Sequence, residues 1–287
     1  MNLTKKRLFI YLGLSFGMAW LIFFIFIFTG HTWTGSSPEM LSLVSLGMLT
    51  PAIAHVITRK ITNEGFRLSG EKSMMLGIDL KGRKWVFFIL AVILPVVYAT
   101  LGDGVIWLMY PEAFGETEFS SFVVIIYPLI AIVQGVVLSF AALGEELGWR
   151  GYMIPKLIEL IGMPKALIIG GIIWGLWHAP LTCVGHNYGT DYPGCPYVGI
   201  ILMCIMCTAL GTILTYVTIK TNSVWPAAFM HAVNNASPSV MLLFMKQDTR
   251  IPLWIHALSY IPLILIAILF YLLMKKNIQE QANTVKR

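Results

Sequence analysis

Three charged residues stand at the end of a membrane-length apolar stretch. Residues 122–143 carry no charge, and the chain then reads Gly-Glu-Glu-Leu-Gly-Trp-Arg over residues 144–150. A charge at the centre of a membrane helix raises the free energy of insertion by about 2.5–3.5 kcal/mol, so it needs a partner, a hydrated cavity or a function. Glu146 and Arg150 are four residues apart and would pair on a helix. This pairing leaves Glu145 as the carboxylate with a chemical role still open.

Two other apolar segments carry polar side chains that suit the same chemistry. Trp174 and His178 are four residues apart in one segment, and His231 and Asn235 have the same spacing in another. Residues at this spacing share one face of a helix. Amide hydrolysis needs a base that activates water, a group that steadies the base, and donors for the developing oxyanion. The residue types predict that these roles are supplied by Glu145, His178, His231 and Asn235.

These residues can meet only under a particular arrangement of helices. At about 1.5 Å per residue, His178 lies roughly 20 Å and His231 roughly 10 Å along their segments, while Glu145 lies nearer the surface. We therefore expect the segment that carries Glu145 to be long and tilted. The segment that carries His178 should begin outside the membrane.

Composition places these residues in a polytopic membrane protein. The 287 residues are 57% hydrophobic and 12% charged, whereas a soluble domain carries about 25% charged residues. Apolar runs near 20 residues fit a hydrocarbon core of about 30 Å as helices. The predicted fold is all-α, a transmembrane bundle of about eight spans: 8–28, 40–58, 85–109, from 122 into the Glu145 motif, 165–181, 198–219, 224–245 and 252–274. A short interfacial helix is expected over 152–162.

The charge distribution orients the predicted bundle. With eight spans, 18 of the 20 Lys and Arg fall on the side of the two termini, and Lys246 and Arg250 fall on the other side. The positive-inside rule then predicts that both termini are cytoplasmic. The net charge of +6 is explained by this topology, so no nucleic-acid partner is expected. No repeat or linker is visible, and we expect one integral membrane domain over 1–287 with a motif-bearing core over about 122–245.

The three motifs together resemble a known family. Glu-Glu-x-x-x-Arg over 145–150 is followed by an aromatic-x-x-x-His motif over 174–178 and by His-x-x-x-Asn over 231–235. This order is similar to the type II CAAX protease and bacteriocin-processing family of intramembrane endopeptidases, also called the CPBP or abortive-infection-like family. The flanking Gly and Trp residues resemble its prokaryotic branch. Trp174 stands where the family pattern usually has Phe, which we interpret as a mild change in packing.

The resemblance implies a role for each matched residue. Glu145 with His178 would activate water, while His231 and Asn235 would bind the oxyanion. The site would be supported by Glu146, Arg150 and Trp174. The implied substrate is a peptide or protein in or at the bilayer of a prokaryotic cell membrane, and prenylation of that substrate is left open.

Several alternatives remain open at this point. Glu145, His178 and His231 could also form a His₂Glu zinc site, although no His-Glu-x-x-His sequence is present and a metal-free Glu–His mechanism is favoured. A transporter would more often show paired repeats, and none is visible. A non-catalytic immunity or scaffold protein on the same fold is the other alternative. Cys204 and Cys207 are expected to pack inside a helix, and a disulfide between Cys183 and Cys195 is left open.

Overall fold

The computed structural model describes residues 2–30, 38–70, 72–246 and 249–285. Parts of the predicted topology lie outside these residues, namely most of the first loop (31–37), Asp248, Lys286 and Arg287. Within the described residues the fold is helical and contains no strand, so the all-α prediction is confirmed. The α-helices in chain order are α1 Leu3–Phe28, α2 Pro38–Ile61, α3 Trp85–Met109, α4 Ser121–Gly148, α5 Ile154–Ile161, α6 Met163–Trp177, α7 Ala179–Cys183, α8 Tyr197–Thr221, α9 Trp225–Asn235, α10 Leu253–Ser259 and α11 Ile261–Val285.

Six helical stretches of the described chain are long and apolar enough to cross a membrane. They are Leu3–Phe28, Ser42–Ile61, Trp85–Met109, Ser121–Ile161, Tyr197–Thr221 and Leu253–Lys276. A polytopic helical bundle is thereby confirmed. The other two predicted spans correspond to the shorter helices α6 and α9. With 15 and 11 residues, these helices reach about 22 and about 16 Å, less than the hydrocarbon thickness of about 30 Å.

The prediction of a helix over 224–245 was wrong in its length. Helix α9 ends at Asn235, and a separate 3₁₀ turn follows over Val240–Phe244. Ser237 has a left-handed φ of 50° and precedes Pro238, which disfavours helical geometry at the residue before it. The apolar residues after this turn had suggested a continuous span. The early end of α9 leaves Asn235 on its last turn.

The helix that carries the Glu-Glu-x-x-x-Arg motif is longer than a single span. Helix α4, a wide π turn over Trp149–Met153 and α5 form one continuous stretch of 41 residues. The separate interfacial helix expected over 152–162 is therefore the extension of α4. This length agrees with the expectation that the segment carrying Glu145 is long.

The predicted helix over 165–181 is interrupted at the residue of interest. Helix α6 ends at Trp177, His178 caps it, and α7 begins at Ala179 with Pro180 in its first turn. Proline is tolerated there because the first amide groups of a helix have no intrahelical acceptor. His178 therefore lies at a junction between two helices. The last predicted span is similarly divided into α10 and α11 at Tyr260.

Close backbone packing holds α4 against α2 at the motif. A Cβ atom on Gly144 would lie 2.6 Å from the Met48 carbonyl oxygen, and one on Gly148 would lie 2.3 Å from Pro51 Cβ. Small residues four apart allow membrane helices to approach in this way. The two glycines flank Glu145 and Glu146, so the same sequence that supplies the carboxylates also lets α2 cover them.

Polar contacts join three elements at the end of the bundle where α1 begins and α2 ends, which we call the basic end. The Glu64 carboxylate accepts hydrogen bonds from Lys156 Nζ at 2.6 Å and Tyr152 Oη at 2.9 Å, and it lies 3.4 Å from Arg7 Nε. Thr4 Oγ1 donates to Glu159 Oε1 at 2.7 Å. These bonds tie α1 and the segment after α2 to the α5 extension.

Candidate active site

Glu146 is the buried ionic centre of the site. Its Oε1 accepts from Arg150 Nη1 at 3.0 Å, as the spacing predicted, and also from His231 Nδ1 at 2.8 Å. Glu146 is 0% and Arg150 3% exposed. Breaking a buried pair of this kind is strongly destabilising because it leaves a charge uncompensated. The motif helix and α9 are therefore joined by a shared carboxylate.

Glu145 is buried beside this pair but has different partners. It is 2% exposed, and its Oε2 accepts from Trp174 Nε1 at 2.7 Å and from Trp149 Nε1 at 3.2 Å. Within the described residues, no Lys, Arg or His forms an ion pair with Glu145. Two neutral indole donors hold one oxygen, so Oε1 is the oxygen with the capacity to accept another proton.

Trp174 lies between the groups predicted to act together. The Arg150 guanidinium carbon is 4.1 Å from the centre of its ring, close enough for a cation–π contact. The ring centroids of His231 and His178 lie 5.3 and 6.1 Å from it. The interpretation of Trp174 as a change in packing alone was incomplete, because its indole N–H also holds Glu145.

His178 is oriented by the backbone of α6. Its Nδ1 lies 2.9 Å from the Trp174 carbonyl oxygen. A carbonyl only accepts, so the proton of a neutral imidazole is on Nδ1 and the lone pair is on Nε2. The ring packs edge-on against Trp177 at 4.8 Å. His178 is thus held in the tautomer that can accept a proton through Nε2.

Asn235 lies at the exposed end of α9, one turn beyond His231. Its Oδ1 accepts from Asn234 Nδ2 at 3.2 Å. In the described structure no hydrogen bond joins it directly to Glu145, His178 or His231. The site therefore has a buried ionic part around Glu146 and an accessible amide at the end of the same helix.

A second histidine braces the motif from α2. His55 Nδ1 donates to the Leu147 carbonyl at 2.9 Å, so its Nε2 is free to accept from Arg59 Nε at 2.6 Å. Arg59 also donates to the backbone carbonyls of Lys72 and Ser73. The His55 ring therefore donates a hydrogen bond to the backbone of the Glu-Glu-x-x-x-Arg motif, close to the π turn.

Sequence reasoning overlooked these bracing residues and Trp149. His55 and Arg59 could have been noticed, because they are ionisable, four residues apart and next to an apolar run. Trp149 follows Glu145 by four residues, so the helical spacing could also have placed its indole beside that carboxylate.

The directions of the candidate zinc ligands bear on the alternative zinc chemistry. The described part of the chain contains no group of three His, Cys, Asp or Glu side chains that could hold a metal ion. Glu145 is turned to the two indoles, and His231 is turned to Glu146. The arrangement does not fit the alternative ligand set of Glu145, His178 and His231.

All four cysteines are free thiols, and Cys207 is buried as expected.

Fold and site together define a polytopic helical membrane protein with a buried carboxylate–imidazole cluster. Comparison with known proteins shows which family the motif-bearing segment resembles. Residues 119–237 match the family model described as type II CAAX prenyl endopeptidase Rce1-like. Over 116 residues the chain is 34% identical to CAAX prenyl protease 2 of Methanococcus maripaludis. The aligned residues make up 40% of this chain and 42% of that relative. The resemblance to the CAAX protease family is confirmed over the segment that carries all three motifs.

Proposed function

We propose that the protein is an intramembrane endopeptidase that hydrolyses a peptide bond of a membrane-associated or lipidated peptide. One observation carries the proposal. Of two adjacent buried carboxylates, Glu146 is paired with Arg150 and His231, whereas Glu145 is held only by neutral donors. A carboxylate that is fixed, buried and without an ionic partner is suited to act as a general base.

Glu145 and His178 activate the water in this mechanism. Glu145 accepts a proton from water through Oε1, and the lone pair on His178 Nε2 accepts the second hydrogen bond and orients that water. The hydroxide adds to the scissile carbonyl carbon, and the proton passes to the leaving amine as the carbon–nitrogen bond breaks. The products are a carboxylate and an amine, so water is the only co-reactant.

His231 and Asn235 stabilise the oxyanion. Asn235 donates through Nδ2. His231 donates through Nε2 when the imidazole is doubly protonated, because Nδ1–H is engaged by Glu146. Charge balance supports that state: two carboxylates and one guanidinium leave a net charge of −1, which a protonated His231 neutralises. Glu146, Arg150 and Trp174 hold these groups in place without touching the substrate.

The relative's name suggests the chemistry of the substrate. Because the match covers less than half of either chain, the activity of the whole relative is a proposal for this chain. A prenylated peptide that ends in a Cys-aliphatic-aliphatic-X sequence is the first probe, and the same peptide without the prenyl group is the second. We further propose that the protein lies in a prokaryotic cell membrane with both termini in the cytoplasm.

The experiment uses both peptides as internally quenched substrates for the purified protein in detergent. Glu145→Gln keeps the shape and hydrogen bonds of the side chain but cannot take a proton, so turnover should fall at least about 10²-fold. Cleavage at the wild-type rate by Glu145→Gln would exclude the glutamate mechanism, whereas no cleavage of either peptide by the wild-type protein would favour the non-catalytic scaffold. Activity that survives chelators would support metal-free chemistry, whereas loss on chelation and recovery with Zn²⁺ would support the zinc alternative.

A further inference from the structure

A chain of side-chain hydrogen bonds leads from the interior of α3 to Asn235. Tyr98 is buried in α3, and its hydroxyl donates to Asn234 Oδ1 at 2.8 Å. Asn234 Nδ2 donates in turn to Asn235 Oδ1 at 3.2 Å. Adjacent residues on an ideal helix point about 100° apart. The end of α9 brings the two amides into contact nevertheless.

The direction of this chain is determined by what each group can donate. In the described structure Asn234 is the hydrogen-bond partner of the Tyr98 hydroxyl. If Asn234 were turned the other way, the Tyr98 proton would be buried without an acceptor, which costs free energy. Asn234 therefore presents its oxygen to Tyr98 and its amino group to Asn235.

The contact with Asn234 determines where the oxygen and the nitrogen of the Asn235 amide lie. Its Oδ1 is occupied by Asn234, so its Nδ2 group faces away with both N–H donors unengaged by Asn234. Asn235 is exposed, and an exposed amide with no fixed partner would rotate freely. An oxyanion donor works best when its orientation is fixed before the reaction.

We propose that Tyr98 and Asn234 are positioning residues that fix the Asn235 amide with its N–H donors toward the substrate. This inference rests on the oxyanion role of Asn235 in the proposed function. Neither residue touches the reacting atoms. Both act through the orientation of Asn235, so they should change the rate of the chemical step and leave substrate binding largely unchanged.

The test measures kcat and KM for the prenylated quenched peptide with single and double variants. Asn235→Ala should lower kcat by about 10²–10³-fold. Tyr98→Phe and Asn234→Ala should each lower kcat by about tenfold at nearly constant KM. In the double variant Tyr98→Phe/Asn235→Ala, the Tyr98 change should have no further effect, because the amide that it orients is gone.

Tyr127→Phe is the matched control. The Tyr127 hydroxyl also holds the end of α9, but it donates to the Ser237 carbonyl at 3.0 Å rather than to the amide chain. It should keep kcat within about twofold of wild type. Equal losses in Tyr98→Phe and Tyr127→Phe, or additive losses in the double variant, would overturn the positioning role. Full activity in Asn235→Ala would overturn the oxyanion role and the inference together, whereas a silent Tyr98→Phe beside an inactive Asn235→Ala would overturn the inference alone.

Discussion

The indole of Trp174 donates its N–H to Glu145 Oε2 at 2.7 Å while the guanidinium of Arg150 lies over the same ring. One side chain on α6 therefore contacts both a carboxylate and the cation that neutralises its neighbour. The face of the ring contacts Arg150, and the N–H at its edge contacts Glu145. This relationship explains how two adjacent glutamates can have different environments.

Removal of the Trp174 donor should impair catalysis without unfolding the site. Trp174→Phe keeps an aromatic ring under Arg150 but removes a hydrogen bond to a charged group, which contributes about 1.5–3 kcal/mol. We expect kcat to fall by about 10–100-fold in the quenched-peptide assay. Trp225→Phe is the control, because the Trp225 indole donates to the Leu76 carbonyl away from the site. Equal activity of the two variants would show that the bond to Glu145 is dispensable.

Loss of the motif cation should destabilise the fold. Arg150→Ala leaves Glu146 buried with His231 as its remaining partner, and we expect a loss of about 3 kcal/mol of unfolding free energy. The melting temperature in detergent and the protein level in membranes should both fall. Arg250→Ala is the control, because its pair with Asp191 is 81% and 75% exposed and exposed pairs contribute little. An Arg150→Ala protein as stable as Arg250→Ala would remove the structural role.

The Glu64 carboxylate at the basic end should make the free energy of unfolding depend on pH. Burial acts to raise the pKa of Glu64, but the hydrogen bond and charge of Lys156 and the hydrogen bond from Tyr152 outweigh it, and the pKa is lowered. A carboxylate with a lowered pKa in the folded state stabilises the fold above its unfolded pKa, which is 4.5 here. This stabilisation is lost as the pH falls through the folded pKa.

Melting temperatures measured from about pH 7 to about pH 3 test this dependence. Wild type should lose stability below the unfolded pKa of Glu64. Glu64→Gln should show a smaller loss over the same range, and Tyr152→Phe, which removes one donor, should lie between them. A Glu64→Gln protein with the same acid dependence as wild type would show that other carboxylates determine it.

The orientation of the bundle can be tested by labelling. In a background with Cys183 and Cys195 replaced by Ser, Asn187→Cys places a thiol in the exposed loop between α7 and α8. A membrane-impermeant maleimide should label it in intact cells. Arg67→Cys at the basic end should react only after permeabilisation. The opposite pattern would mean that the termini are outside the cell.

The sequence was a sound guide where one local signal decides the structure. The apolar run over 85–109 predicts α3 with its observed ends, and the spacing of Glu146 and Arg150 predicts their ion pair. Glu145, His178 and His231 all lie near Trp174, whereas the tilt of α4 and a start of α6 outside the membrane stay predictions.

Features that depend on several elements at once escaped prediction. The apolar residues after Pro238 concealed the end of α9. The contact of Trp174 with Glu145 depends on the position of α6, which is a different segment of the chain. Periodicity within one segment carries no information about this contact. For the same reason, the link from His231 to Glu146 rather than to Glu145 could not be read from the motif order.

The π turn over Trp149–Met153 changes the direction in which side chains point along the 41-residue helical stretch. A residue advances an α-helix by about 100°, and a wide turn accommodates one extra residue. In a regular α-helix of the same 41 residues, Glu145 and Glu146 would still face the bundle. Lys156 and Glu159 would then point about 100° away from Glu64 and Thr4. The wide turn therefore lets Glu145 and Glu146 face the bundle while Lys156 and Glu159 face their partners at the basic end.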